Sequence, residues 1–297
     1  MVKISLLEAP ICAGSPTLGS DQAFHSLTEH GIRAAVNEGI TLVPMEHPVM
    51  RKTDADPRLH SVEEVMAVSR KLCENVKNAL SEGAFPVVIG GDHSVAMGSI
   101  AGVSSVYGPE DLSVVYIDGH TDINTEKTSL TGYIHGMPLA AAMGLCTDLL
   151  TVGNKVNLYG RNTFIIGARS IDEGEYPIIE EQGVHLYTAA DIRRRGVAEV
   201  VGEVLSSIRT KAIHISFDVD SLDETEFPST GYRMPDGMML EEVETVIETL
   251  FATGRVVSFD CVEYNPVLDG SGEDRVKLFE IFSRCQDMLE LSAEKKG

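Results

Sequence analysis

Acidic and histidine side chains cluster directly after apolar runs at four places in this chain. The clusters are Gly91-Asp92-His93, Asp118-Gly119-His120-Thr121-Asp122, Asp218-Val219-Asp220 and Val262-Glu263-Tyr264-Asn265. The first three directly follow the predicted strands Val87–Ile89, Leu112–Ile117 and Ala212–Phe217. Strands of one parallel sheet bring their carboxyl ends together, where open α/β sheets place their sites. Because two imidazoles and four carboxylates would be costly to bury without a counter-charge, the clusters indicate a divalent metal site.

The ligand types narrow the choice of metal. Asp118, His120 and Asp122 alternate along the chain, and alternate side chains of an extended segment share one face. Carboxylate and imidazole ligands with no cysteine favour Mn²⁺ or a similar cation over a structural zinc site. Six protein ligands are more than one ion normally takes while leaving room for water, so we expect two ions that share bridging carboxylates. The six candidate ligands are His93, Asp118, His120, Asp122, Asp218 and Asp220.

Two further residues, His135 and Glu263, stand outside the ligand set. His135 precedes a predicted helix, and without a bound metal it would transfer protons near neutral pH. The alternative is a polar residue that only caps the start of that helix. Glu263 follows the apolar run Val256–Val262, which is a poor position for an ordinary surface carboxylate.

Apolar runs alternate with amphipathic stretches along the whole chain. Helices are predicted over Val62–Ser81, Ala189–Arg209 and Leu240–Thr253, and long loops over Asn124–Ile134 and Ser221–Met238. This alternation predicts an α/β fold with a parallel sheet and helices on both faces. Since no linker, repeat or low-complexity segment interrupts it, we expect one domain over residues 1–297. The predicted strands are Val2–Leu7, Thr41–Pro44, Val87–Ile89, Ser113–Ile117, Thr163–Ile166, Ala212–Phe217 and Val256–Phe259.

Composition excludes several classes of function. The chain has 297 residues, of which 43% are hydrophobic, and it lacks an apolar run long enough to span a membrane. A formal net charge of −21 disfavours binding to nucleic acid or to anionic membranes and suits a small cationic substrate. Five widely spaced cysteines without a CxxC motif, and no signal-peptide pattern, predict a reduced cytoplasmic protein.

The chain resembles the ureohydrolase superfamily, and the arginases within it, over most of its length. The resemblance implies a three-layer arginase-like fold with a central, mostly parallel sheet flanked by helices. It also implies two Mn²⁺ ions per subunit and a homo-oligomer, either a trimer or a hexamer. The motifs that carry it are Gly90-Gly91-Asp92-His93-Ser94, Asp118-Gly119-His120-Thr121-Asp122-Ile123-Asn124-Thr125, His135-Gly136-Met137-Pro138, Ser216-Phe217-Asp218-Val219-Asp220-Ser221-Leu222-Asp223 and Glu263-Tyr264-Asn265-Pro266.

The resemblance assigns the ligands to two ions and implies a reaction. One ion would be held by His93, Asp118, Asp122 and Asp218, and the other by His120, Asp118, Asp218 and Asp220. A metal-bridging hydroxide would attack the guanidinium carbon of L-arginine, which yields L-ornithine and urea. By motif position, His135 would protonate the leaving amine and Glu263 would orient the guanidinium through paired hydrogen bonds.

Substrate choice is expected to depend on loop residues. Asn124 matches arginases rather than agmatinases, and Asp172 and Glu175 match the carboxylates that bind the substrate's α-amino group. Three residues near the expected pocket mouth depart from the family pattern: Thr131 replaces serine, Tyr133 replaces asparagine, and Tyr232 replaces a small threonine. Gly119 replaces an alanine, a change expected to loosen the backbone.

Three alternative functions stay open at this level. The departures either leave arginine hydrolysis intact or shift preference to agmatine, formiminoglutamate or a different guanidino acid. A catalytically silent relative is the second alternative, although all six ligands, His135 and Glu263 are intact. A histone-deacetylase-like protein is the third, and that family lacks the doubled ligand motifs found here.

Overall fold

One eight-stranded parallel sheet forms the centre of the computed structural model, which describes residues 2–32, 39–49 and 57–294. The strands are β1 (Ile4–Ala9), β2 (Ile40–Val43), β3 (Phe85–Gly90), β4 (Leu112–Ile117), β5 (Thr163–Ala168), β6 (His185–Thr188), β7 (Ala212–Asp218) and β8 (Val256–Val262). Their order in the sheet is β2-β1-β3-β8-β7-β4-β5-β6. The four strands that precede polar clusters therefore stand side by side, as β3, β8, β7 and β4.

Helices connect the strands, as expected for parallel pairs. They are α1 (Ala23–Glu29), α2 (Val62–Ser81), α3 (Ala96–Tyr107), α4 (Pro138–Ala142), α5 (Tyr176–Gln182), α6 (Ala189–Arg195), α7 (Val197–Ser207), α8 (Leu240–Phe251) and α9 (Glu273–Glu294). The prediction of one helix over Ala189–Arg209 is wrong, because Gly196 has φ +85° and separates α6 from α7. Within the described ranges, no helix is long and apolar enough to cross a membrane.

Two apolar layers cover the two faces of the sheet. Side chains alternate along each strand, so that Leu6 packs into one layer and Leu7 into the other. The first layer receives side chains from α1, α7, α8 and α9, and the second from α2, α3 and α4. This arrangement confirms the predicted three-layer α/β fold.

A glycine just after β3 allows the segments that follow the parallel neighbours β1 and β3 to approach closely. A Cβ atom on Gly91 would lie only 1.5 Å from the backbone oxygen of Ile11, so no larger residue fits. The backbone N–H of Gly14 then donates to the carboxylate of Asp92 at 2.7 Å. The segment after β1 is thereby fixed against the start of the first polar cluster.

Candidate active site

The first group of predicted ligands surrounds His93. Its Nδ1 lies 2.8 Å from Asp118 Oδ2, 3.0 Å from Asp218 Oδ2 and 3.4 Å from Asp122 Oδ2. All four residues are buried. Strand ends that are far apart in sequence thus place one imidazole and three carboxylates around a common point.

The second group shares Asp118 with the first. His120 Nδ1 lies 3.1 Å from Asp220 Oδ2 and 3.5 Å from Asp118 Oδ1. Asp118 therefore directs one carboxylate oxygen to each histidine. In the part of the chain that the structure describes, His93 with Asp118 and Asp218, and Asp118 with His120 and Asp220, have the spacing to hold metal ions.

The backbone places these ligands differently from the extended geometry expected from their alternation. β4 ends at Ile117, and Asp122 has a left-handed φ of +47°. Asp218 is the last residue of β7, and Val219–Ser221 form a 3-10 turn in which the backbone N–H of Asp220 donates to Asp218. Turns rather than strand pleats bring the alternating side chains together.

The charges of this cluster fit a pair of divalent cations. Burial, followed by repulsion from neighbouring carboxylates, raises the pKa of Asp122 and Asp218 well above the usual value. Burial also acts to raise the pKa of Asp118, but the adjacent imidazoles of His120 and His93 lower it overall. His93 Nδ1 and Asp118 Oδ2 are buried without a hydrogen-bond partner, although they face each other. Cations between these groups would offset the crowded negative charge and use the unpaired atoms as ligands.

Two residues behind His93 support its orientation, and the sequence analysis missed both as site residues. Ser216 Oγ lies 2.9 Å from His93 Nε2, and the ring of Tyr116 stacks on the imidazole with centroids 4.2 Å apart. The Tyr116 hydroxyl also donates to Asp122 at 2.9 Å. Ser216 stands two residues before Asp218 on β7, so strand alternation was the signal that it faces the same side.

His135 and Glu263 meet beside the ligand cluster. His135 Nδ1 lies 3.5 Å from Glu263 Oε1, and the same oxygen accepts the backbone N–H of His93 at 3.0 Å. His135 lies in the 3-10 turn Ile134–Gly136, just before α4. Glu263 directly follows β8 with a left-handed φ of +63°, an uncommon conformation for a residue other than glycine. This turn keeps the carboxylate buried against the cluster instead of continuing the strand.

A pocket of about 100 Å³ opens next to this pair. His120, Asp122 and His135 contribute to its wall. All six predicted substrate-binding residues also line it: Asn124, Thr131, Tyr133, Asp172, Glu175 and Tyr232. The structure therefore brings the predicted metal, catalytic and substrate residues to one place.

Tyr232 lines the pocket beside two histidines. Its ring centroid lies 5.4 Å from that of His135 and 5.5 Å, edge-on, from that of His120. Tyr133 also contacts His135, with ring centroids 6.3 Å apart, and its ring lies 4.7 Å from the ring of His60. The two tyrosines thus have different surroundings, and only Tyr232 contacts both a ligand histidine and His135.

Asp172 and Glu175 differ in how firmly each is held. Glu175 is buried, and its two oxygens accept backbone N–H groups of Ile123 at 3.0 Å and Asp172 at 2.8 Å. Burial raises the pKa of Glu175. Asp172 is partly exposed and accepts the amide of Asn124 at 2.9 Å. Asp172 is thus the more accessible carboxylate, while Glu175 ties two loops together.

Arg169 is a further positioning residue that the sequence analysis did not assign. Its guanidinium donates to the carbonyl oxygens of Asp220 at 2.7 Å and Leu222 at 3.1 Å, which anchors the loop after β7. A Cβ atom on Gly119 would lie 2.6 Å from Arg169 Nη1. The structure therefore gives Gly119 a spatial role, because the missing side chain leaves room for the arginine.

Comparison with known proteins agrees with this geometry. A sequence model of the arginase family matches residues 2–280. The arginase of Bacillus subtilis (strain 168) is 35% identical over 291 residues, which cover 93% of this chain and 96% of that protein. The chain belongs to the arginase family. A second family member, the arginase of Bacillus caldovelox, is 33% identical over 91% of this chain and 93% of its own length. Its crystal structure superposes with a TM-score of 0.90 at 31% identity, covering 96% of this chain and 98% of that chain.

Proposed function

We propose that this member of the arginase family hydrolyses L-arginine to L-ornithine and urea. The observation that carries the proposal is the meeting of His135, Glu263 and a double cluster of ligands at one end of a polar pocket. The relatives that are named arginases, similar over nearly the whole chain, support the same activity.

We propose two Mn²⁺ ions as the resident metals. One ion would be held by His93, Asp118, Asp122 and Asp218. The other would be held by His120, Asp118, Asp218 and Asp220. Oxygen-rich sites with one imidazole each suit Mn²⁺. When bound, such a pair lowers the pKa of a shared water and supplies hydroxide near neutral pH. The four carboxylates then balance the charge of the ions instead of repelling one another.

The chain's own residues would bind and orient the guanidinium and move the proton. Glu263 presents a buried carboxylate that accepts hydrogen bonds from the planar guanidinium. His135, 3.5 Å away, transfers a proton to the departing amine nitrogen. Tyr232 covers both histidines and limits the access of water to them.

The outer pocket would recognise the amino-acid end of the substrate. Asp172 would pair with the α-ammonium group, and Glu175, which accepts the backbone N–H of Asp172, would support it. Asn124 and Thr131 supply neutral polar groups for the α-carboxylate. Tyr133 and Tyr232 occupy positions where smaller residues are usual, and they favour the competing proposal of a different guanidino or formimino substrate.

A substrate panel tests the proposal. Purified, Mn²⁺-loaded protein is incubated with L-arginine, agmatine, formiminoglutamate and other guanidino acids, and ornithine, urea and ammonia are quantified. Arginine is expected to give the highest kcat/KM, with equal amounts of ornithine and urea. Equal or better turnover of agmatine, which lacks the α-carboxylate, would contradict the arginine assignment. No product from any compound would point to a catalytically silent relative.

We propose in addition that the chain acts as one domain within a cytoplasmic homo-oligomer, either a trimer or a hexamer. The five cysteines are free thiols, which suits a reducing compartment. Light scattering coupled to gel filtration measures the molar mass, which differs between a monomer, a trimer and a hexamer.

A further inference from the structure

A second cluster of ligand-type side chains lies outside the active site. Glu8 belongs to β1, His25 to α1, and His47 to the segment after β2. None of the three belongs to the motifs that carry the resemblance to the arginase family, and β1 lies outside the group β3-β8-β7-β4 that carries the active site.

The cluster has the dimensions of a small metal site. Glu8 Oε1 lies 3.2 Å from His25 Nε2 and 3.2 Å from His47 Nε2, and all three atoms lie within 4.8 Å of one another. Tetrahedral zinc with bonds of roughly 2.0–2.1 Å holds its ligand atoms about 3.3–3.4 Å apart. The observed spacing therefore accommodates one ion with little movement of the side chains.

The surroundings of Glu8 leave one oxygen for such an ion. The Glu8 side chain is only 1% exposed, so its charge needs a partner. Its Oε2 accepts the backbone N–H of Met45 at 2.9 Å, which leaves Oε1 directed at the two imidazoles. The carboxylate is thereby held in one orientation before any metal binds.

Both histidines are accessible to solvent, and a second carboxylate lies near His47. Their side chains are 53% and 42% exposed, and their rings stack with centroids 5.7 Å apart. An ion can therefore enter from solvent and keep a water molecule at its fourth position. Asp21 Oδ2 lies 3.8 Å from His47 Nδ1, on the side of the ring away from Glu8. A carboxylate behind the second ring nitrogen is common for metal-binding histidines, because it orients the ring.

We propose that Glu8, His25 and His47 bind one Zn²⁺ ion. Two imidazoles and one carboxylate suit zinc better than the harder Mn²⁺ that we assign to the oxygen-rich active site. The ion would link β1, α1 and the segment after β2. Its expected effect is to stabilise this part of the fold.

Glutamine variants separate zinc binding from simple ion pairing. Glutamine at positions 25 and 47 can still donate an N–H group to Glu8, but it is a poor zinc ligand. His30→Gln is the matched control, because His30 is an exposed histidine at the end of the same helix and bonds to the Ser26 carbonyl. Full-length, Mn²⁺-loaded proteins are dialysed against buffered Zn²⁺, and bound metals are counted by mass spectrometry.

The wild type and His30→Gln are expected to retain one more zinc per chain than the His25→Gln/His47→Gln double variant. Exchange of zinc into the active site affects all three proteins equally, so the difference isolates this cluster. At a hundredfold excess over Kd, zinc is also expected to raise the Tm of the wild type by about 5 °C more than that of the double variant.

Equal zinc content in the wild type and the double variant would overturn the proposal and leave Glu8 as a carboxylate shared by two histidines. Should the double variant unfold, the single His47→Gln variant decides the question, because residue 47 lies outside helices and strands. A second test uses anomalous diffraction, measured at the zinc absorption edge from zinc-soaked crystals. An anomalous peak between the three side chains supports the site, and its absence contradicts it. These outcomes do not depend on whether the active site hydrolyses arginine.

Discussion

Replacing Ser216 by alanine tests how the fold prepares His93 for a metal. Ser216 and His93 are both buried, and 2.9 Å separates the serine hydroxyl from Nε2. We assign the ring proton to Nε2, which donates to the hydroxyl, because Nδ1 faces the carboxylates of Asp118 and Asp218. This tautomer leaves the Nδ1 lone pair free for a cation.

Two estimates of the free-energy cost of Ser216→Ala have the same size. Leaving a buried N–H group without its acceptor costs about 1–3 kcal/mol. Loss of the partner behind a metal-binding histidine typically weakens metal affinity about 10–100-fold, which corresponds to roughly 1.4–2.7 kcal/mol. Ser216→Ala is therefore expected to raise the Kd for Mn²⁺ by about 10–100-fold, while kcat at saturating Mn²⁺ changes little because the ligands themselves stay in place.

Ser258→Ala is the matched control. Ser258 lies on the neighbouring strand β8, is also buried, and lies 2.7 Å from the ring nitrogen of His214, which is not a predicted ligand. It removes the same kind of bond, so it should lower the free energy of unfolding without changing Mn²⁺ affinity. Activity titrated against buffered free Mn²⁺ gives the Kd, and urea denaturation gives stability.

Unchanged Mn²⁺ affinity in Ser216→Ala, or an equal loss in Ser258→Ala, would refute this reasoning. The first result would mean that stacking on Tyr116 alone orients His93. The second would mean that the loss of any buried hydrogen bond in these strands weakens Mn²⁺ binding.

Four further predictions concern the centre, the proton path, the pocket and the scaffold. Asp220→Ala should lower the Mn²⁺ content and abolish most activity, and unchanged metal content and rate would contradict its assignment as a ligand. His135→Ala should keep both ions and slow kcat by about 10²–10⁴-fold, with partial rescue by imidazole; a metal-free variant would show that its role is misassigned. Tyr232→Ala should lower kcat on the order of 10-fold, whereas Tyr232→Phe should match the wild type because the ring makes the contact with His135; equal losses in both would implicate the hydroxyl instead. Thr188→Ala removes the cap of α6, where Thr188 Oγ1 accepts the Asp191 N–H at 3.1 Å, and should cost about 1 kcal/mol in thermal unfolding. Since the Thr188 side chain also lowers the pKa of Asp191, that difference should be largest above pH of about 4 and shrink as the pH falls; a difference that stays constant with pH would exclude this contribution.

Seven of the eight strands and the ligand inventory were predictable because their signals are local, whereas the short edge strand β6 was missed. β4 and β7 are buried on both faces, as central parallel strands must be, and their polar clusters begin where the strands end. The prediction of α2 over Val62–Ser81 matches the structure, since a 20-residue amphipathic stretch has an unambiguous period. The break at Gly196 was missed because periodicity on both sides of the glycine favours one continuous helix.

The position of β8 was not predictable from the order of elements along the chain. It is the last strand, yet it lies between β3 and β7. Only this insertion brings Glu263 to His93, whose backbone N–H it accepts across 170 residues of sequence. The packing of apolar faces from distant segments decides strand order, so a local sequence pattern does not predict it.

The sequence by itself determined which side chains are available: two histidines and four aspartates in motifs, with His135 and Glu263 beside them. Tertiary structure decided how they are used. It made Asp118 common to both histidines, placed Tyr232 against His135, and put Ser216 behind His93 from 123 residues away. The physical reason is that residue type sets chemical capacity, whereas distance, burial and orientation arise only when separate strand ends and turns meet.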